Sequence, residues 1–148
     1  MQNRKFILAP TLLFALVFVV GCEPMGPIPG GELSGTITPY PESWLAMSDE
    51  EVVQMEVNGP YSLNIWGIGT ERGYYVAAGK GKEAKWASKI SENSAVRLRI
   101  ESNIYELQAT AVTDEDEKAQ VLVVYKNKYD LEADDDFPNA ILYRLEAR

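Results

Sequence analysis

From Tyr61 onward the apolar positions switch between a period of two and a helical period. Tyr61, Leu63 and Ile65 alternate with Ser62, Asn64 and Trp66, which predicts a strand. A turn over residues 70–73 leads into the apolar run 74–78, so the two runs are expected to pair as a hairpin. Gly79-Lys80-Gly81-Lys82 breaks that strand. Over residues 83–91 Trp86, Ala87 and Ile90 share one helical face, while Lys82, Lys85 and Lys89 share another. Val96, Leu98 and Ile100 then alternate with Arg97, Arg99 and Glu101, a strand with one apolar and one charged side. Ser102-Asn103 turns the chain into a return strand over 104–112. The acidic start Asp114-Glu115-Asp116-Glu117 favours a helix N-terminus, and the helix is expected to reach residue 126 or beyond. An acidic loop over 130–136 and a last strand over 141–145 complete the chain.

Upstream of Tyr61 the pattern is different. Ser48-Asp49-Glu50-Glu51 has the spacing of a capping box and predicts a short helix to about Met55, stopped by Asn58-Gly59-Pro60. Residues 23–40 hold four prolines and four glycines and read as an irregular tether. Residues 6–20 form an apolar run behind Arg4 and Lys5, the layout of a secretory signal. That run is shorter than the ~20 apolar residues a membrane span needs.

Composition narrows the chemistry. The 148 residues contain no histidine and one cysteine, Cys22. Imidazole- or thiolate-built zinc, copper and haem sites are therefore absent from the options. So are Ser-His-Asp and Cys-His nucleophiles. Residues 1–21 hold two of the 14 basic residues and none of the 22 acidic ones, so the chain from Cys22 onward carries a net charge of −10. That balance argues against nucleic acid as a partner and against electrostatic binding to anionic lipid.

Val19-Val20-Gly21-Cys22 resembles the lipobox of bacterial lipoproteins. The resemblance implies cleavage before Cys22, acylation of its thiol and attachment to a membrane through the lipid. It divides the chain into a signal peptide over 1–21, a lipidated cysteine and tether over 22–40, and a folded domain over 41–148. Aspartate after the cysteine is the usual inner-membrane retention signal in that family. Here Glu23 follows, so the expected location is the bacterial cell envelope, with the outer membrane favoured.

The folded domain is similar to small split-barrel proteins related to the pyridoxamine-phosphate oxidase-like and deazaflavin-dependent nitroreductase-like barrels. The matching pieces are Leu63-Asn64-Ile65-Trp66, Tyr75-Val76 before the Gly79-Lys80-Gly81 turn, Trp86, and Val96 to Ile100 with Tyr105. Tyr125-Lys126-Asn127-Lys128-Tyr129 and Ile141 to Leu145 follow in order. The resemblance implies an α+β fold, a small mixed split β-barrel with two to three short helices, and pairing into a homodimer. It also implies a small-molecule site for FMN or a deazaflavin, with Lys80 and Lys82 at the phosphate loop, Trp86 just after it, and Lys128 and Tyr129 as further candidates. The Gly-Arg-x-Ser-Gly signature of the deazaflavin enzymes is replaced here by Gly79-Lys80-Gly81-Lys82-Glu83.

Each candidate has a plainer reading. Lys80 and Lys82 also fit a solvated turn. Trp86 beside Ala87 and Ile90 also fits the core. Lys128 and Tyr129 also fit the docking of a helix end. Arg97 and Arg99 fit an anion patch or cross-strand pairing with Glu106. The acidic residues 130–136 lack the glycine and distal glutamate of a calcium loop, and no metal is expected. Two functions remain: a non-catalytic binding or structural lipoprotein, and alternatively a flavin- or deazaflavin-binding redox protein.

Overall fold

The computed structural model describes residues 23–132 and 140–148. It contains eight strands and two α-helices in that part of the chain. In order they are β1 (Thr36–Ile37), β2 (Val53–Val57), β3 (Tyr61–Ile65), β4 (Gly67–Gly69), β5 (Tyr74–Ala78), α1 (Lys85–Glu92), β6 (Ala95–Ile100), β7 (Asn103–Ala111), α2 (Glu115–Tyr129) and β8 (Ile141–Ala147). Two 3-10 turns, Leu45–Met47 and Gly81–Glu83, connect them.

Seven strands form one path, β3-β2-β6-β7-β8-β5-β4. Its two end strands are neighbours in sequence, with only Trp66 between them. The sheet must therefore curl until its ends meet at Trp66, which makes it a split barrel. This confirms the expected fold class, a mixed α+β half-barrel with two helices.

The pattern of side chains follows from that curl. Tyr74, Val76 and Ala78 of β5, with Tyr143 and Leu145 of β8, point into the barrel core beside Val96, Leu98, Ile100 and Leu107. The alternate residues Ile68, Tyr75 and Leu142 point outward and are covered by Val121 and Tyr125 of α2. Trp86, Ala87 and Ile90 of α1 join the barrel core, as the helical spacing predicted. Each fully buried large apolar side chain contributes about 1.5–3 kcal/mol. Asp114 caps α2, its Oδ1 accepting the Glu117 N–H at 2.7 Å. Lys126 and Lys128 sit in the last turn of α2, and Asp130 ends it in the left-handed region at φ 51°.

Several sequence expectations are corrected. Residues 48–55 are not a helix: a 3-10 turn ends at Met47 and β2 starts at Val53. Ser48 and Glu51 have the right spacing, but the β-branched Val53 and Val57 and the buried Met55 suit a strand paired on both edges. Runs 61–66 and 74–78 do not pair with each other. β3 pairs with β2, and β5 pairs with β4, because Gly67 opens a new strand at the corner. Asp134, Asp135 and Asp136 of the acidic loop, and Cys22 with the segment before it, lie outside the described residues.

The expected tether over 23–40 is also corrected. Residues 23–38 are irregular but laid on the barrel as a strap. Glu23 pairs with Arg99. Gly30 exchanges two backbone hydrogen bonds with Ser62, at 2.8 and 3.0 Å. Leu33 is buried to 1 % exposure, and its N–H donates to Glu56 Oε2 at 2.7 Å. β1 then pairs in parallel with Asn103 and Ile104, beyond the Leu107–Ala111 stretch of β7 that β8 occupies. The physical reason is that the outward faces of β2, β3 and β6 are polar, and their side chains receive the backbone of the strap. The domain therefore begins well before residue 41.

Candidate functional site

An open groove of about 890 Å³ lies between the end of β3, the end of β5 with its following turn, and the start of α1. Asn64, Trp66, Ala77, Lys80, Glu83 and Trp86 are among its lining residues. The strands bring these groups together because β3 runs out at the barrel corner while β5 runs out into the Gly79-Lys80-Gly81 turn. Gly81 sits at φ 56°, which favours glycine, and a Cβ built at Gly79 meets nothing within 4 Å. The backbone at Gly79 is therefore open to approach, while Gly81 is buried.

Trp66 lines the groove. It is 47 % exposed. Its indole stacks on the Tyr129 ring, with centroids 4.6 Å apart and planes 10° from parallel. One face of the indole is thus fixed by α2. The Tyr129 hydroxyl accepts the Gly67 N–H at 2.9 Å and lies 2.8 Å from both the Gly67 and Glu51 carbonyl oxygens. Lys128 Nζ donates to the Gly67 carbonyl at 2.9 Å and to that of Glu50. Burial lowers the Lys128 ammonium from its ordinary value, against the opposing pull of Asp49, Glu50 and Glu51. Burial raises the Tyr129 phenol.

The sequence candidates therefore separate. Lys80 and Trp86 line the groove. Lys82 is exposed on the 3-10 turn beside it and is not part of the lining. Lys128 and Tyr129 are used to dock the end of α2 on the β3–β4 corner, and Tyr129 reaches the groove through Trp66. Trp86 is 8 % exposed and packs on Tyr143 at 5.6 Å, so it offers little surface to the groove. Lys85 and Lys89 do not form a free basic face: both ammonium groups lie over the Tyr61 ring, at 4.8 and 5.8 Å.

Arg97 and Arg99 are neutralised. Arg97 stands opposite Glu106 in the β6–β7 register, but its guanidinium pairs with Glu56 at 2.8 Å and approaches Glu32 at 3.8 Å. Arg99 holds Glu23 through both carboxylate oxygens. Hydrogen bonds from Arg99, and then from Ser34, push the Glu23 carboxyl down to about 2. Sequence reasoning did not single out Trp66. The available signal was its place on the polar side of the β3 alternation, where a large aromatic is out of pattern.

The chemistry of this donor set suits a flat aromatic ring carrying an anionic group. Trp66 presents a supported π-face, Lys80 supplies a cation, and the glycine turn presents backbone.

No protein-family model matches the chain, and no curated protein matches it. Solved structures do resemble it. HutZ, the heme storage protein of Vibrio cholerae, matches at 16 % identity with a TM-score of 0.53, over 66 % of this chain and 82 % of that one. A putative pyridoxamine 5'-phosphate oxidase from Listeria innocua matches at 19 % identity and 0.51, over 65 % and 82 %. Campylobacter jejuni ChuZ matches at 14 % identity and 0.54, over 69 % of this chain and half of that chain. These likenesses establish the fold, a split barrel.

Proposed function

We propose that this chain is a lipoprotein of the bacterial cell envelope, anchored through Cys22, whose split barrel binds a flat anionic small molecule without transforming it. The observation that carries the binding reading is Trp66: a half-exposed indole, fixed from behind by Tyr129, on a groove that also holds Lys80. The lipobox-like Val19-Val20-Gly21-Cys22 supports the anchor, and Glu23 after it supports the outer membrane. The fold supports a ligand-binding reading, since HutZ is a heme storage protein. This chain has no histidine to ligate a haem iron, so FMN or a deazaflavin is the better first probe.

When bound, a flavin supplies a redox-active ring; the residues of this chain hold it. Trp66 would stack on the ring, and Lys80, with Lys82 nearby, would neutralise the phosphate. The test is a titration of residues 23–148 with FMN, FAD and a deazaflavin, read by tryptophan quenching. The expected result is saturable binding in the micromolar range or tighter, weakened at least about tenfold, some 1.4 kcal/mol, by the Lys80→Ala, Lys82→Ala double substitution. Trp66→Phe should remove most of the quenching. Affinity unchanged by these substitutions overturns the site, and no binding to any probe overturns the ligand reading. Visible absorption that co-purifies with the protein would instead favour the redox alternative.

A further inference from the structure

The apolar turn next to the anchor residue has no use inside the barrel. Residues 24–31 carry no charged side chain. Met25 and Ile28 exchange two backbone hydrogen bonds of 3.0 Å, closing a tight turn on Gly26 and Pro27. Gly26 takes φ 56°, which the turn requires. The Met25 and Ile28 side chains are 72 % and 60 % exposed.

This turn is held in place from behind. The Gly26 carbonyl accepts from Asn64 Nδ2 at 3.0 Å, and the buried Pro24 offers its carbonyl to Gln54 Nε2 at 3.5 Å. Glu23 is gripped by Arg99. Cys22 directly precedes Glu23, and neighbouring Cα atoms across a trans peptide are about 3.8 Å apart. An acylated Cys22 therefore lies one residue from a side chain clamped to β6, and the exposed turn begins two residues further on. The remainder of the surface belongs to a chain that from Cys22 onward carries a net charge of −10, which anionic headgroups repel.

We propose that the Met25–Ile28 turn inserts into the lipid surface that holds the acylated Cys22, so that the barrel sits on the bilayer in one orientation instead of swinging on a tether. The occupant is the acyl boundary of the bilayer, which takes apolar side chains to a depth of about 5–10 Å. The proposal rests on the lipoprotein reading above.

The test uses the full acylated protein in phosphatidylcholine vesicles, with acylation of Cys22 checked by mass. Acylation occupies the only native thiol, so an Ile28→Cys variant can be labelled selectively with an environment-sensitive fluorophore. The expected result is blue-shifted emission, cut at least about twofold by nitroxide-bearing acyl chains at that depth. A label introduced by Ala119→Cys, at an exposed position of α2, should stay water-like. Arg99→Ala, which frees the clamp, should return the position-28 label toward the aqueous signal. An acylated protein with an aqueous position-28 label overturns the docking proposal and leaves the lipoprotein reading standing. Equal quenching at positions 28 and 119, or no effect of Arg99→Ala, overturns the single orientation. A Cys22 without acyl mass overturns the lipoprotein reading and the docking with it.

Discussion

Replacing Glu56 tests whether the strap is part of the domain. Its carboxylate is nearly buried, at 9 % exposure for the residue, and one oxygen serves two partners: Leu33 N–H at 2.7 Å and Arg97 Nη1 at 2.8 Å. Glu56→Ala leaves the Leu33 amide without an acceptor, which costs about 1–3 kcal/mol. Breaking a fully buried ion pair costs about 3–5 kcal/mol. Arg97 loses less than that, because its side chain is 19 % exposed and Glu32 stays within 3.8 Å. The combined cost is about 2–4 kcal/mol. With a urea slope of about 2 kcal/mol per molar, the midpoint falls by roughly 1–2 M. Glu56→Gln keeps an oxygen for the Leu33 N–H and loses the charge, so it should cost about 1 kcal/mol. Amide hydrogen exchange gives the local readout: the Leu33 N–H is slow in the parent, nearly as slow in Glu56→Gln, and fast in Glu56→Ala. A Leu33 amide as protected in Glu56→Ala as in the parent would refute the reasoning. So would a midpoint shift below about 0.3 M.

The corner of the barrel and the clamp give further expectations. Tyr129→Phe keeps the stack on Trp66 but removes the acceptor of the Gly67 N–H, while Lys128 still covers the Gly67 carbonyl; it should cost about 1 kcal/mol in urea melts, with flavin affinity unchanged. Tyr129→Ala also removes the stack and should lower ligand affinity, read by the same titration. At Gly69 an added Cβ would sit 2.1 Å from the Trp44 carbonyl oxygen, so Gly69→Ala should destabilise by about 1–3 kcal/mol in the same melts, and a neutral result would mean that the Leu45–Met47 turn is free to move. The Glu23 carboxyl is held down at about 2 against an ordinary 4.5. A lowered carboxyl contributes stability above its unfolded value and loses it as pH falls through the folded one, so the clamp should open between about pH 4.5 and 2. Carbon-13 NMR of the Glu23 carboxyl should show that displaced midpoint, and Arg99→Ala should return it toward 4.5.

The strands that bury one face and expose the other were readable from the chain alone. Val96, Leu98 and Ile100 could only sit on the inner side of β6, and Trp86, Ala87 and Ile90 could only share one face of α1. The acids after Asp114 likewise marked the start of α2. Residues 48–55 misled because the capping spacing is a local signal, whereas β2 exists through its two partners: Met55 lies opposite Leu63 on one side and Leu98 on the other. The hairpin assignment failed at a single residue. β3 ends at Ile65, Trp66 turns the corner, and Gly67 starts a strand at the far end of the path, a closure that no local period encodes.

The strap and the groove were hidden for a shared reason. Local composition reports how much freedom a segment has, not what will receive it. Residues 23–38 lack any repeating apolar pattern, so they read as a tether. Their partners, however, are the polar outward residues of three adjacent strands: Gln54 and Glu56 on β2, Ser62 and Asn64 on β3, Arg97 and Arg99 on β6. Three such faces in a row form a polar wall on which an irregular backbone finds partners: Glu56 takes the Leu33 N–H, and Gln54, Asn64 and Arg99 donate to the Pro24, Gly26 and Ser34 carbonyls. The alternation of Ser62 and Asn64 on β3 reaches Trp66 just past the strand's end. There the strap no longer covers the sheet, and α2 supports the indole from one side only. The row therefore passes from holding the chain's own backbone to an aromatic surface on the groove. Substitutions at Asn64 should loosen the strap, while those at Trp66 should act on the groove, although Trp66 follows Asn64 by only two residues, just past the end of β3.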